Sequence, residues 1–317
     1  MNGSGYYRMV RRTPLHEVAD RGRRVFLKDE TRQVTGAFKY RGNVNFLLRN
    51  DVPRVITAST GNHGLGLTTA GTALGRTVRV LVPKDTPEIK LDKLGRAGAE
   101  VVLAGLTYDE SRQAALEEAE RLGCAYVPSF DHADIIAGHR LLFDEAAADL
   151  PRPPRQVYVP VGGGGLYAAA LDAFAGTGTE VVGVELAAIP AMHASLAAGS
   201  RVEVPVPAGC QAEGLAVSLV GDLAFRAARR YGGRVVLVGA AGLSEAMRWI
   251  WRTAGVRVEA AGAAAVAGML ADRARGTGGT DGDALCVLSG GNVNESLWHA
   301  VVDDGHDLFL GTHEEDH

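Results

Sequence analysis

The chain alternates short apolar segments with helical ones, and this alternation constrains the fold more than any other feature. Apolar runs recur from residue 24 to residue 288, with helical or alanine-rich segments between them. The predicted strands are 24–28, 54–58, 78–82, 100–103, 125–127, 156–161, 180–184, 234–238 and 284–288. The helices predicted in the first half are 65–74, 88–94, 108–122 and 136–148. Apolar strands that alternate with helices predict an α/β fold with parallel sheets buried on both faces.

Length and charge limit the class of protein. With 317 residues, 46% hydrophobic and 22% charged, the chain suffices for one large or two moderate domains. A net charge of −4 with interleaved signs predicts neither nucleic acid nor a membrane surface as partner. We expect no signal peptide and no membrane span. Cys124, Cys210 and Cys286 show no disulfide or metal-ligand spacing, so a cytoplasmic location is predicted.

Three polar or flexible segments stand outside the alternation. The proline-rich stretch 150–154 is the clearest interruption of the pattern. Residues 275–282 are rich in glycine and predict a mobile loop, and the acidic residues 314–316 predict a frayed tail.

The first motif, Val-Thr-Gly-Ala-Phe-Lys-Tyr-Arg-Gly at 34–42, places a lysine in a setting that suits chemistry. A lysine that reacts with a carbonyl must be deprotonated part of the time, so its surroundings should disfavour the charged form. Thr35 is predicted as the N-cap of a helix whose first turn contains Lys39, near the positive end of the helix dipole. Phe38 adds an apolar wall. The alternative at this point is an ordinary surface lysine at a helix start.

The second motif is Ala-Ser-Thr-Gly-Asn-His-Gly at 58–64, which follows a predicted strand and opens a predicted helix. Backbone N–H groups at a helix start, aided by the side chains of Ser59 and Asn62, suit a carboxylate. Two interpretations remain for His63. It either takes part in this site or is a structural histidine whose hydrogen bonds are satisfied.

The third motif is a glycine run between a predicted strand and helix. It comprises Gly162, Gly163, Gly164 and Gly165, followed by Leu166. Each glycine costs about 0.5–1 kcal/mol relative to alanine, so the run needs a reason, and close approach to a phosphate is the usual one. A nicotinamide-binding pattern is an alternative, but its third glycine is missing because Tyr167 or, for a start at Gly64, Thr69 stands there.

The fourth motif, Ser-Gly-Gly-Asn at 289–292, ends the last predicted strand. Ser289 is suited to capping a helix, to a turn, or to presenting a neutral hydroxyl to a ring nitrogen. These four motifs together, in this order, resemble the fold type II pyridoxal-phosphate-dependent enzymes, and the threonine dehydratase and serine racemase branch is nearest. The resemblance covers nearly the whole chain, from residue 13 to residue 292.

The resemblance implies an architecture. It is that of tryptophan synthase β-like proteins, with two parallel-sheet three-layer α/β domains and pyridoxal 5′-phosphate between them. Residues 1–50 and 136–317 would form a large cofactor-binding domain, and residues 51–135 a small domain that closes over the substrate. A homodimer is also predicted, and the partner is a small amino-acid substrate.

The resemblance also implies a role for each motif. Lys39 would carry the Schiff base and then remove the α-proton, Phe38 would lie beside the cofactor ring, and Asn62 would bond its 3-hydroxyl. Ser289 would face the pyridine nitrogen and keep it largely unprotonated, which favours loss of a β-substituent. The phosphate would be held by Gly162, Gly163, Gly164, Gly165 and Leu166. The substrate, mainly its carboxylate, would contact Ser59, Thr60, Asn62 and His63.

Three positions depart from the family's pattern. Thr60 stands where serine racemases have a serine that acts as the second base, and it is stiffer, so racemisation is expected to be minor at most. The cation site of that branch would use Glu185, but its acidic partner position is Ala191, so no metal is predicted. Arg140, after His139, replaces a small residue. It is expected either to meet an anionic substrate side chain or to lie on a helix surface.

The predicted function is a pyridoxal-phosphate-dependent ammonia-lyase that converts a β-hydroxy amino acid such as L-threonine or L-serine to a 2-oxo acid. The alternative is β-replacement or a threonine-synthase-like reaction on an activated or anionic amino acid. A third possibility is a catalytically silent binding or sensor protein, against which the intact Lys39 argues.

Overall fold

The computed structural model describes residues 3–276 and 282–311. The strands are β1 (Leu15–Asp20), β2 (Arg23–Asp29), β3 (Arg54–Ala58), β4 (Thr77–Val82), β5 (Glu100–Leu103), β6 (Ala125–Tyr126), β7 (Gln156–Pro160), β8 (Glu180–Leu186), β9 (Arg234–Val238) and β10 (Ala284–Leu288). The helices are α1 (Gly3–Met9), α2 (Lys39–Arg49), α3 (Asn62–Ala73), α4 (Glu88–Ala97), α5 (Tyr108–Leu122), α6 (Ala133–Asp149), α7 (Gly165–Ala173), α8 (Ala191–Ala198), α9 (Asp222–Tyr231), α10 (Ala240–Ala254), α11 (Ala260–Arg275) and α12 (Glu295–Val302). The predicted frayed tail and most of the predicted mobile loop lie outside the described residues.

The larger sheet has six strands in the order β1-β2-β10-β7-β8-β9. Strand β1 is antiparallel to β2, and the remaining pairs of this sheet are parallel. Successive side chains of a strand point to opposite faces. Accordingly Val25 and Leu27 belong to the buried cluster built with α10 and α11, whereas Phe26 belongs to the cluster built with α6 and α7. The sheet is therefore the middle of three layers.

The smaller sheet repeats this arrangement with four parallel strands in the order β5-β4-β3-β6. Val55 packs in a cluster with Leu67 of α3, and the next residue, Ile56, packs in a different cluster with Ala115 of α5. Both sheets thus have the α/β architecture predicted from the sequence. The division at residues 51 and 135 stays a prediction, although the four strands fall between residues 54 and 126.

Two local predictions were wrong or incomplete. Helix α2 begins at Lys39 with Phe38 as its N-cap, not Thr35. The carbonyl of Thr35 instead accepts a hydrogen bond from Nδ2 of Asn292 at 2.8 Å, which holds the preceding segment outside the helix. Strand β1 was not predicted because its side chains are mostly half-exposed, and only its pairing with β2 defines it. Within the described ranges, no helix is both long and apolar enough to cross a membrane.

Candidate active site

Three of the four motifs meet at one edge of the larger sheet. Strands β2, β10 and β7 are consecutive neighbours and parallel, so their carboxyl ends lie side by side. The segment after β2 carries Lys39, the residue after β10 is Ser289, and the segment after β7 carries the glycine run. The topology therefore brings an amine, a hydroxyl and a row of backbone N–H groups to the place where parallel sheets bind ligands.

Backbone hydrogen bonds join the lysine segment to the serine segment. The N–H of Phe38 donates to the carbonyl of Ser289 at 3.0 Å, and the N–H of Gly291 donates to the carbonyl of Gly36 at 2.9 Å. Because Phe38 directly precedes Lys39, the first turn of α2 is fixed beside Ser289.

The Lys39 amine lies between aromatic rings. Its Nζ is 5.3 Å from the ring centroid of Phe38 and 5.9 Å from that of Phe130, and it donates a hydrogen bond to the carbonyl of Ser129 at 2.6 Å. Desolvation lowers the pKa of Lys39 from 10.5 to about 8. Among the described residues no carboxylate forms an ion pair with it. The lowering of this pKa therefore arises from burial.

The glycine run forms a backbone cradle at the start of α7. Gly164 has a φ of 87°, in the left-handed region, and a Cβ on it would lie 2.6 Å from Cβ of Ala224. A Cβ on Gly162 would lie 2.4 Å from the carbonyl oxygen of Gly214. No side chain caps α7. Side chains are excluded here, and the backbone N–H groups with the helix dipole make a donor set that fits a phosphate dianion.

Ser289 is buried and has a weakly engaged hydroxyl. Its Oγ is 3.4 Å from the carbonyl oxygen of Ala261, which is long for a hydroxyl hydrogen bond. The hydroxyl therefore remains available to a ring nitrogen. It is neutral, so it donates a hydrogen bond without supplying a proton.

Asn62, the first residue of α3, connects the two sheets. Its Nδ2 donates to Oε1 of Glu259 at 2.8 Å, and its Oδ1 accepts from Nδ2 of Asn292 at 2.7 Å. Both ends of the amide thus have protein partners. Each end uses only part of its capacity, so the second N–H of Nδ2 could make the predicted bond to a cofactor hydroxyl.

Glu259 is a site residue that the sequence reasoning missed. It precedes α11, and burial, opposed by the Asn62 hydrogen bond, raises its pKa to about 7. In the sequence, Glu259 stands out only because it precedes a long alanine-rich helix. Many surface carboxylates occupy such a position. Its proximity to Asn62 depends on tertiary structure, since the two residues are 197 positions apart in the chain.

The imidazole of His63 points into the interior of the smaller sheet's layer. Its Nε2 lies 3.1 Å from Oγ1 of Thr57 and 3.2 Å from the carbonyl oxygen of Val127. Burial, aided by the charge of Lys39, lowers the pKa of His63 to about 3. This placement favours the structural interpretation and gives no support to a contact between the imidazole and a substrate carboxylate.

The carboxylate-binding loop itself keeps free donors. Ser59 and Thr60 are half-buried, and Oγ of Ser59 accepts a hydrogen bond from the N–H of Gly61 at 3.2 Å. No side chain caps α3. The N–H groups at the start of this helix therefore suit a carboxylate, as predicted from the motif.

Glu185 and Arg140, the residues considered for a cation and for an anionic substrate side chain, make contacts with other parts of the protein. Glu185 accepts hydrogen bonds from the N–H groups of Met192 and His193 at 2.7 and 2.9 Å, and burial raises its pKa to about 7. The carboxylate of Glu185 thus accepts hydrogen bonds from the first turn of α8. The side chain of Arg140 is 41% exposed and pairs with carboxylates of Asp144 and Asp172. This supports the alternative of a surface helix residue rather than substrate binding by Arg140.

The fold and this site define an α/β enzyme that places a lysine of lowered pKa beside a phosphate cradle. The family described as pyridoxal-phosphate dependent enzyme matches residues 7–290, and the chain belongs to that family. An L-threonine ammonia-lyase of Geobacter sulfurreducens is 37% identical over 310 residues, which cover 93% of this chain and 75% of that protein. The biosynthetic, chloroplastic threonine dehydratase 2 of Solanum lycopersicum is 34% identical over 90% of this chain, which spans about half (49%) of that relative.

Solved structures of related proteins share the fold of this chain. The processed form of threonine deaminase isoform 2 from Solanum lycopersicum has a TM-score of 0.88 at 33% identity, covering 93% of this chain and 84% of that one. Maize serine racemase, at 24% identity, shares the fold with a TM-score of 0.86 over 94% of this chain and 93% of that one. The predicted family and branch, the fold class, the cofactor and the lyase class are confirmed.

Proposed function

We propose that this lyase removes water and then ammonia from L-threonine, with L-serine as a second substrate, and releases a 2-oxo acid. One observation carries the proposal. The Lys39 amine has no carboxylate partner among the described residues, and burial brings its pKa to about 8 at the edge where the glycine run and Ser289 converge. The names of the relatives support the substrate, and the predicted dehydratase activity agrees with them.

The residues present fit pyridoxal 5′-phosphate. The backbone of Gly162 to Gly165 and of Leu166 would hold its phosphate, Ser289 would donate to its ring nitrogen, and Phe38 would lie against its ring. When bound, this cofactor withdraws electrons from the substrate's α-carbon. The protein contributes orientation and proton transfer.

Lys39 supplies the base. With a pKa of about 8, roughly a tenth of this amine is neutral at pH 7, far more than for a solvated lysine. The neutral Nζ would take the α-proton and hold it. The aromatic rings of Phe38 and Phe130 exclude water around the amine, which maintains the low pKa.

The remaining roles concern the substrate and its leaving group. The N–H groups at the start of α3, with the Ser59 hydroxyl, would orient the substrate carboxylate. Because the Ser289 hydroxyl is neutral, it would leave the ring nitrogen of the cofactor largely unprotonated, a state that favours loss of the β-hydroxyl. The β-hydroxyl would leave as water with a proton from the phosphate group that the glycine run would hold. Thr60 keeps a hydroxyl near this loop, and its stiff side chain is consistent with little racemisation.

A substrate panel tests the proposal. Purified protein loaded with pyridoxal 5′-phosphate is incubated with L-threonine, L-serine and O-phosphorylated analogues, and both 2-oxo acid and ammonia are measured. We expect stoichiometric 2-oxo acid and ammonia from L-threonine and none with Lys39→Ala. Release of the β-substituent with retention of the amino group, upon addition of a nucleophile, would identify β-replacement instead. No turnover of any β-hydroxy amino acid would overturn the proposal.

The proposal includes a homodimer, a cytoplasmic location and closure of residues 51–135 over the substrate. The cysteines at 124, 210 and 286 are free thiols, which suits a reducing compartment. Lys90 of α4 forms an ion pair at 2.8 Å with Glu213 from the other sheet's side, a contact that closure would make or break. Sedimentation equilibrium would give the mass of the assembly.

A further inference from the structure

Two buried histidines near Lys39 have ring nitrogens without a hydrogen-bond partner among the described residues. They are both nitrogens of His139 on α6 and Nδ1 of His63 on α3. His139 has no exposed surface, and His63 is 3% exposed. Burying a polar atom without a partner is costly, so proteins rarely retain one. Nitrogens of this kind mark a place where another polar group binds during function.

The contacts of His63 assign its tautomer. Its Nε2 faces the carbonyl oxygen of Val127, which only accepts, and the hydroxyl of Thr57, whose hydrogen is given to that same carbonyl at 2.8 Å. We therefore place the hydrogen on Nε2. Nδ1 of His63 is then a free acceptor.

His139 is held against the first turn of α2. Its ring centroid lies 4.7 Å from that of Phe38, the residue that precedes Lys39. A Cβ on Gly42 would lie 2.5 Å from Cε1 of His139, so only glycine at that position allows the ring to lie there. A neutral imidazole has one donor and one acceptor nitrogen, and His139 therefore adds a second free acceptor next to the reactive lysine.

The charges around the rings keep them neutral. Burial lowers the pKa of His139 well below its usual value, and Lys39, His63 and Arg41 lower it further. The groups that face it are Lys39 and Arg41 from α2 and His63 from α3, with no carboxylate among the charges that act on it. Neutral rings accept a hydrogen bond from an ammonium group without taking its proton.

We propose that His63 and His139 are positioning residues for Lys39, whose amine they receive through hydrogen bonds once substrate has released it from the cofactor. This inference rests on the proposed function. The contact with Ser129 must break, because the amine has to turn toward the substrate's α-carbon. Once Nζ has taken the α-proton it is an ammonium group in an apolar setting, and two acceptor nitrogens stabilise it there. The proton stays on Nζ, so no charge moves to the rings.

A pair of variants at one position separates hydrogen bonding from packing. His139→Leu keeps a buried side chain but removes both nitrogens, and His139→Gln restores a donor and an acceptor. With L-threonine we expect His139→Leu to lower kcat about tenfold and to move the acidic limb of its pH profile about half a unit lower, because the ammonium form of Lys39 is less stable. His139→Gln should keep kcat within about threefold of wild type and should leave the acidic limb close to its wild-type position. The exposed His193→Leu serves as control and should change neither.

A spectroscopic measurement does not depend on turnover. Nitrogen NMR of the ring-labelled full chain with pyridoxal 5′-phosphate is recorded with and without L-alanine, which has no leaving group and would free Lys39. We expect L-alanine to shift ring-nitrogen resonances of His63 and His139 toward hydrogen-bonded values, and to cause no such shift in Lys39→Ala.

The outcomes distinguish the two proposals. An inactive wild type would overturn the proposed function. A wild type that is active, with an unchanged pH profile in folded His139→Leu, would overturn only the positioning role. Should His139→Leu fail to fold, unshifted resonances in the wild type on addition of L-alanine would overturn the positioning role by themselves.

Discussion

Lys28 and Lys39 lie eleven positions apart and burial lowers the pKa of both, yet of these two amines only that of Lys28 has a carboxylate partner among the described residues. The Lys28 side chain has no exposed surface, and its Nζ donates to Oε2 of Glu145 and to the carbonyl of Thr13, both at 2.8 Å. The Lys39 amine has one hydrogen bond, to a backbone carbonyl. The ammonium of Lys28 is buried with a carboxylate partner and can stabilise the structure, whereas that of Lys39 is half-buried without one and loses its proton more readily.

The carboxylates around Lys28 also serve Arg41, two residues after Lys39. Arg41 is fully buried and donates to Glu30 and to Glu145, both at 2.7 Å. Burial opposes the ionisation of Glu145, but hydrogen bonds from Arg41 and Lys28 outweigh it and hold its pKa below the usual value. Two cations and two anions therefore compensate each other on one side of α2. The Lys39 amine, which has no carboxylate partner among the described residues, belongs to the candidate active site.

Removal of the Lys39 amine should have the largest effect on activity. Lys39→Ala should lower kcat for L-threonine by about 10³-fold or more, because positioned general bases contribute roughly 10²–10⁴-fold. Activity is measured as 2-oxo acid formed at saturating cofactor. The exposed Lys84→Ala is the matched control and should retain wild-type activity. Activity of Lys39→Ala within about tenfold of wild type would show that Lys39 is not the catalytic base.

Removing the compensated amine should cost stability instead. Lys28→Met leaves a carboxylate of the buried cluster short of a partner, and breaking such a pair costs about 3–5 kcal/mol. Urea unfolding of the cofactor-free protein measures the change. The double variant Lys28→Met with Glu145→Gln should recover part of the loss. A loss below about 1 kcal/mol would show that Arg41 alone suffices for Glu145.

Replacing Lys39 by methionine should stabilise the folded protein, whereas the same replacement of Lys28 should destabilise it. Because the pKa of Lys39 is lowered from 10.5 to about 8 on folding, the unfolded chain binds more protons between those values. Stability therefore rises with pH across that window, and the full penalty applies below about pH 8. Lys39→Met should raise the free energy of unfolding of the cofactor-free protein at pH 7 by about 1–3 kcal/mol. Equal stability at pH 7 and no difference in the pH dependence from wild type would contradict this account.

The smallest expected effect concerns the cradle that faces Lys39. Gly164→Ala forces a side chain into the left-handed region, at a cost of about 1–2 kcal/mol, and against Ala224. Gly176 has a similar φ of 74° with nothing within 4 Å of its Cβ position, so Gly176→Ala is a matched control for the backbone cost. Only Gly164→Ala should weaken cofactor binding, by about tenfold or more, as measured by absorbance titration. Equal cofactor affinity in both variants would argue against the cradle.

Much of the fold was predictable because parallel strands buried on both faces have continuous apolar sequences. Strand β9 and strand β10 were predicted with the bounds that the structure has, and helix α5 likewise. Strand β1 was missed because half-exposed side chains at a sheet edge carry no clear pattern. Thr35 was the wrong N-cap because hydrogen bonds from remote residues, not local capping, decide where α2 begins.

The site was predictable to the extent that motifs follow strands. Lys39, Ser289 and the glycine run were assigned to one site by the resemblance of their motifs to the family. The strand order β2-β10-β7, which places them at one edge of the sheet, was not predicted. The partners of Asn62 and the inward orientation of His63 were not predictable. Both depend on how α3 packs, and the sequence of α3 gives the same helical pattern for either orientation.

By itself, the sequence determined which segments are strands, which are helices, and which reactive groups follow them. Only the tertiary structure decided that Lys28 is compensated and Lys39 is not, since both lysines have apolar neighbours in the sequence. The decisive partners lie far along the chain, Glu145 at 117 positions from Lys28 and Ser129 at 90 positions from Lys39. A buried charge is governed by the groups within a few ångströms, and folding sets those distances.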